Sequence, residues 1–353
     1  MNLRRTTLLL IAPLTLLAPE VLRYAPQQGA KLRKEIKGTA HLVQTIETLS
    51  GGSEHDAPFQ VTADIDLDLE LIDHYRELAT RRPQTLNREL KKAGLNITTE
   101  LLVDIEDGAK PLRFAKSLRS ERAKTPVVFR WQEDQSAFSA QLATSDGSPG
   151  LHLDRLREET DLRSFLPEEE VDAGSTWNVP VAALADVFSP GGDLAFRFES
   201  GGHATHDDFK VFGTDLGAML LDADSATNSG AVQATYRGHD KNRKHLARIE
   251  VRFEIDHGPA ATRTLQRLAR DLSDRQRSLD AESKRFRLRG TGTVLWNTKT
   301  SLPASAEFNA DLDAEWLVTS RSKTGSSGGA RVVTDRRTIT GTLQRTFTLQ
   351  STR

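Results

Sequence analysis

The chain has 353 residues, room for one large β-rich domain or two ordinary ones, and its 49 acidic and 48 basic residues nearly cancel. With no global field to gather polyanions, nucleic acid is not an expected partner. There is no cysteine, which removes disulfides, thiolate nucleophiles, cysteine-ligated zinc, iron–sulfur clusters and lipid attachment through an N-terminal cysteine.

Arg4 and Arg5 precede an apolar and hydroxylic run, Thr6 to Ala18, the order of an export signal and too short for an ordinary spanning helix. Leu16 occupies a place where cleavage wants a small residue and Pro19 follows, so residues 1–18 read as an export signal or a short N-terminal anchor with weak membrane association. Residues 19–353 read as a single β-rich domain, because no composition shift or long linker divides them.

Lys31 to Leu49 places Leu32, Ile36, Ala40, Leu42 and Ile46 on one face, opposite Lys31, Arg33, Glu35 and Lys37. After the turn-forming Gly51-Gly52-Ser53, the residues Phe59, Val61, Ala63, Ile65, Leu67, Leu69 and Leu71 alternate with Asp64, Asp66, Asp68 and Glu70. Antiparallel pairing of these strands sets the basic stripe beside the acidic one. Same-face neighbours on a strand stand nearly 7 Å apart, too far to ligate one cation together, so the carboxylates form a solvated face.

Val127 to Trp131 and Ala137 to Ala143 read as a hairpin, Leu151 to Glu159 as a helix, and Val181 to Phe188 as a short helix before the breaker Ser189-Pro190-Gly191-Gly192. His206 to Asp224 is ambiguous, with leucines at helical spacing. Thr262 to Leu279 carries Leu265, Leu268, Leu272 and Leu279 as a narrow helical stripe suited to packing on a sheet. Strands return in Val232 to Gly238, Leu246 to Ile255, Lys284 to Thr298, Ser301 to Thr319 and Arg331 to Gln350, with Thr324 to Gly329 as a loop of small residues.

Leu302 to Val318 is the most regular segment: nine even-numbered positions are apolar and the intervening ones mostly acidic or polar. Lys284 to Thr298 also keeps its apolar residues at even positions, so an antiparallel pair needs residue numbers with an even sum. A sum of 600 sets Arg285, Arg287 and Arg289 against Glu315, Asp313 and Asp311, and Gly292 against Phe308, with the loop Lys299-Thr300-Ser301. Few aromatic residues, 6% of the chain, argue against the girdles of an outer-membrane barrel.

Candidates for chemistry are sparse. His203, His206, Asp207 and Asp208 form the one dense group of metal-ligand types, but their spacing matches no zinc motif and reads as a polar loop with an Asp helix cap. Asp146-Gly147-Ser148-Pro149-Gly150 lacks the glycine two residues before serine that a nucleophile elbow needs, and reads as a turn. Arg289-Gly290-Thr291-Gly292-Thr293 lies within a strand, where small residues leave room for an opposing aromatic. His239, His245 and His257 are read as surface residues. No catalytic, metal-binding or cofactor-binding residue is assigned, and no cofactor is expected.

In Phe165-Leu166-Pro167 followed by Val171, Gly174, Ser175, Thr176 and Trp177, Gly174 supplies a turn and Trp177 is expected to start a strand and bury its ring in the core. This pattern, together with Val21 to Pro26 and the Gly290-Thr291-Gly292 strand, resembles an uncharacterised family of exported, β-rich bacterial proteins of planctomycete type. The resemblance implies an extracytoplasmic β-rich fold and supplies no activity.

The expectation is an α+β protein built on a large curved antiparallel sheet, open or half-barrel, with a few helices packed on it, periplasmic or otherwise extracytoplasmic. Its expected role is non-enzymatic binding or scaffolding in the cell envelope, holding an apolar ligand or lipid on a concave sheet face, with a lipid or an envelope protein as partner. Two rival readings are an extracytoplasmic hydrolase whose site assembles from distant positions and a structural protein using exposed sheet edges.

Overall fold

Alternation with period two carries most of this chain into strands, and a computed structural model describes residues 21–50, 59–79, 82–102, 112–120, 122–123, 125–143, 153, 156–194, 196–198, 228–258, 277–324 and 329–352. In chain order the elements are β1 (Lys31–Ser50), β2 (Phe59–Ala79), β3 (Arg82–Leu102), β4 (Leu112–Ser120), β5 (Val127–Gln132), β6 (Ala137–Leu142), β7 (Thr176–Val179), α1 (Ala183–Phe188), β8 (Phe196–Phe198), β9 (Asn228–His239), β10 (Leu246–His257), β11 (Arg277–Asn297), β12 (Leu302–Thr324) and β13 (Gly329–Thr352). All thirteen strands join one sheet in the order β6-β5-β3-β2-β1-β13-β12-β11-β10-β9-β7, with β4 on β3 and β8 on β4. Every pairing is antiparallel. Among the described residues the path runs from β6 to β7, and the pairing of β1 with β13 joins its two halves at the centre.

The α+β expectation is overturned: strands take 71% of the described residues and helix 5%. Of the expected helices, Val181 to Phe188 appears as α1, whose six residues are all buried. Of the Leu151 to Glu159 helix, residues 151, 152, 154 and 155 lie outside the described residues, and residues 156–159 are not helical. Leu156 instead bridges to Gly192, and the residues after it run irregularly because Thr160 and Asp161 reach partners on the sheet. Arg277 to Leu279, placed at the end of the Thr262 to Leu279 helix, belong to β11 and pair with Ser322, Arg321 and Ser320. The rest of that helix lies outside the described residues, as does His206 to Asp224.

One side of the sheet is apolar and forms a single core cluster running from Leu32, Ile36 and Leu69 to Phe253, Leu288 and Phe347. Leu162, Phe165 and α1 lie on this inner side. Phe165 packs on Phe308 of β12 with ring centroids 5.4 Å apart, and Phe188 of α1 packs on Phe253 of β10 at 6.0 Å. Residues 21–30 cross one end of the sheet as a strap: Ala25 N–H donates to Ser301 O, Trp296 Nε1 to Arg23 O, and Gly29 N–H to Tyr75 O.

The outer side is charged. Arg33 pairs with Glu70 at 3.1 Å and His41 with Asp64 at 2.7 Å, the expected meeting of the β1 and β2 stripes. Between β11 and β12 the sum of 600 holds from Ala281–Thr319 to Leu295–Ser305, with Arg285, Arg287, Arg289 and Gly292 opposite Glu315, Asp313, Asp311 and Phe308. The ion pairs within 4 Å run to the other neighbour: Arg287 and Arg285 to Asp256, Arg289 to Glu254 of β10. At the turn the register slips by one, because Asn297 Oδ1 accepts the N–H groups of Lys299 and Thr300 and starts the turn early.

Two side chains depart from expectation. Trp177 is half-buried, since it stands on β7 at the end of the sheet path, and its Nε1 donates to Phe165 O at 3.2 Å. His257 is 4% exposed and stacks on Phe286, because the last residue of β10 still has inward parity.

Candidate functional site

Three adjacent strands each place one charge at a position whose parity belongs to the core. Lys34 lies between Leu32 and Ile36 on β1, Asp73 between Leu71 and Tyr75 on β2, and Arg88 between Leu86 and Leu90 on β3, all on the buried side. Asp73 faces Arg88 directly and Leu32 on its other side, so Lys34 is its diagonal neighbour. Arg88 grips Asp73 with Nε to Oδ1 at 2.7 Å and Nη2 to Oδ2 at 2.8 Å, and Lys34 Nζ donates to Asp73 Oδ2 at 2.6 Å.

The segment 156–163 completes the cluster from above. Lys34 Nζ also donates to Thr160 Oγ1 and Asp161 Oδ1, and Arg88 to the carbonyls of Arg157 and Glu158. The hydroxyls of Tyr24 and Tyr75 both donate to Asp161 Oδ2, at 2.6 and 2.7 Å. Beside it Arg163 pairs with Glu158, and Arg157 with Asp186 of α1 at 2.6 Å. Leu162, between the two halves, takes a left-handed backbone with φ 54°, a conformation held only where its surroundings fix it.

Burial raises the Asp73 carboxyl, but the Arg88 and Lys34 charges outweigh it and hold it at about 2. Asp161 is likewise held down, burial being overcome chiefly by Lys34. Burial, followed by the Asp161 charge, pushes both tyrosine hydroxyls up, so they remain donors. Asp186 is raised to about 7 by burial and then by Glu159. With its charges paired and its donors engaged, the Lys34–Asp73–Arg88–Asp161 cluster has the chemistry of a fastener: it ties the inner segment and the strap to the sheet. A cavity beside it, lined by Leu71, Arg88, Leu90, Phe129, Leu156 and Leu194, measures about 20 Å³, room for about one water.

Two other inner-face side chains lack such partners. Gln44 of β1 is fully buried with neither Oε1 nor Nε2 hydrogen-bonded. Arg345 of β13 is 9% exposed, with Nε unpartnered. On the outer side a groove of about 700 Å³ is lined by Gln233, Arg252, Glu254, Asp256, Arg289 and Asp311; two of its charges, Arg289 and Glu254, pair with each other.

Neither the Lys34–Asp73–Arg88–Asp161 cluster nor Gln44 and Arg345 came from sequence patterns. The signal was there: a charge at core parity on consecutive strands. His203, His206, Asp207, Asp208 and Ser148 lie outside the described residues. No protein-family model and no curated protein matches this chain. Among solved structures, an outer membrane channel from Pseudomonas putida F1 aligns over 90% of this chain and 97% of that chain, at 10% identity and a TM-score of 0.19, too low a likeness to inform fold or function.

Proposed function

We propose that this chain is an exported, non-enzymatic binding protein of the bacterial cell envelope, holding an apolar or amphiphilic ligand against the inner face of its sheet. The observation that carries the reading is a pair of polar side chains left short of partners on the inner face, Gln44 with neither amide atom hydrogen-bonded and Arg345 with Nε lacking an acceptor. Buried polar groups without partners are costly, and a ligand bringing a polar head to the apolar face relieves that cost. The export pattern of residues 1–18 supports an extracytoplasmic site of action. The charged outer side supports an aqueous one, because a strand face bearing Arg285, Arg287, Asp311 and Asp313 is costly in contact with lipid tails.

A second reading, edge pairing with an envelope protein, is favoured by one observation. Leu112 and Phe114 are 53% and 51% exposed on β4, where only Leu118–Ser120 are paired to β8.

The test expresses the full chain in a bacterial host and isolates it from the envelope and periplasmic fractions without detergent, followed by native mass spectrometry before and after organic extraction. The expected result is an extracytoplasmic protein carrying an adduct of a few hundred daltons that extraction removes. Recovery in the cytoplasm contradicts export; a bare mass that no added amphiphile changes contradicts ligand binding.

A further inference from the structure

The outer groove of about 700 Å³ crosses β9, β10, β11 and β12, and the strand register fixes what stands at each point of it. One row across the strands is Gln233, Arg252, Thr291 and Asn309, and the next is Ala231, Glu254, Arg289 and Asp311. In the second row Arg289 lies between two carboxylates and takes Glu254 at 2.9 Å, while Asp256 takes Arg287 at 2.8 Å. In the first row Arg252 has an amide on one side and a hydroxyl on the other, so no carboxylate stands across from it. Among the described residues neither Arg252 nor Asp311 has an ion-pair partner, and the side chains of Gln233 and Thr291 have no hydrogen-bond partner. All four are exposed, and the volume is that of an ordinary small-molecule site. Part of the floor is bare backbone: at Gly230, with φ 137°, an added Cβ would come to 2.2 Å from Glu254 O, so glycine is required there.

These groups select a ligand by charge. The groove holds two guanidinium groups, Arg252 and Arg289, and three carboxylates, Glu254, Asp256 and Asp311. With Arg289 already paired, it has one cation to offer in negative surroundings. The Arg252 guanidinium can hold one ligand carboxylate through two N–H groups. A second anion further along would meet Asp311 or Glu254 and be repelled. Asp311 accepts hydrogen bonds, and Thr291 and Gln233 both donate and accept, which suits neutral hydroxyl groups. From Gln233 to Asp311 is three strand spacings, about 14 Å at ~4.8 Å each, longer than a single sugar ring.

We propose that this outer groove is a second ligand site, which takes a short saccharide bearing one carboxylate: the carboxylate on Arg252, the neutral hydroxyl groups on Gln233, Thr291 and Asp311. The site is separate from the inner face and does not depend on the reading of that face.

The test titrates the full chain by calorimetry at low ionic strength with cellobiouronic acid, which carries a single carboxylate, with its neutral counterpart cellobiose, and with the polyanion trigalacturonate. A charge-assisted hydrogen bond to the carboxylate is worth about tenfold in affinity, so the wild type is expected to bind cellobiouronic acid about tenfold tighter than either of the others. Arg252→Met, a change at an exposed and unpaired side chain, is expected to reduce cellobiouronic acid to the level of cellobiose, and Asp311→Asn to narrow the gap between cellobiouronic acid and trigalacturonate. Arg248→Met, on the same strand but outside the groove, is expected to change nothing, which separates the site from general surface charge. Equal wild-type affinities for cellobiouronic acid and cellobiose overturn the proposal, as does a wild-type preference for trigalacturonate. An acid preference that survives Arg252→Met, or is lost equally in Arg248→Met, also overturns it. Failure of the wild type to bind any of the three probes overturns it as well, and leaves the inner-face reading standing.

Discussion

Asp73 is the carboxylate that Arg88 grips, and it shares Lys34 with Asp161, so replacing it leaves the buried Arg88 without its paired carboxylate. Asp73→Asn is expected to lower the unfolding free energy by ~3–5 kcal/mol, the usual result of removing one partner from a buried ion pair, read as a shift of the urea midpoint. The acid limb follows from the same contacts. A carboxyl held at about 2 when folded stabilises fully above the ordinary carboxylate range near ~4, and that contribution is lost as the pH falls from there through 2. Asp186 runs the other way. Raised to about 7, by burial first and Glu159 second, it binds its proton more tightly in the folded state, so the folded state loses stability as the pH rises from ~4 through 7. Between pH 5 and 8 the wild type is therefore expected to lose ~2 kcal/mol relative to Asp186→Asn. Urea midpoints of both proteins at the two pH values check this, and a difference independent of pH contradicts it.

At the scale of the element, Gly292 and Phe308 test the register where side-chain space is tightest. An added Cβ at 292 would come to 2.3 Å from the Phe308 ring, so Gly292→Ala is expected to cost ~1–3 kcal/mol by overpacking and Phe308→Ala ~3–5 kcal/mol by emptying a core site. The double variant should lose clearly less than the two together in urea unfolding, since the new methyl group enters the space the ring vacates; simple additivity contradicts the pairing. β1, β2, β11 and β12 were legible because an unbroken alternation fixes both strand and facing. β3 was not. Its inward residues are Leu86, Arg88 and Leu90 and then, after a slip between Leu71 and Glu70 of β2, Ala93, Leu95 and Ile97; the bulge switches parity and hides the period. Leu153 and Leu156 stand at helical spacing, but Leu156 bridges to Gly192 and residues 157–159 run irregularly toward Thr160 and Asp161, which bind Lys34. The fastener escaped notice for a related reason: Lys34 sits in a run of basic residues whose neighbours Arg33 and Lys37 do face water, and only pairing with β2 brings Asp73 to it.

For the whole molecule, sidedness decides the reading. Apolar residues line one face of thirteen strands, ion pairs cover the other, and β1 with β13 forms the seam on which both halves depend. The strap of residues 21–30 and the fastened segment 156–163 tie the inner side to the sheet at one end, and beyond it Gln44 and Arg345 carry polar atoms without partners on the same face. Hydrogen–deuterium exchange of the full chain, free and saturated with oleate, tests this most directly. The account predicts that added protection concentrates in residues 38–44 of β1 and 339–345 of β13. Protection confined to residues 112–117 of β4, or unchanged exchange throughout, would contradict it.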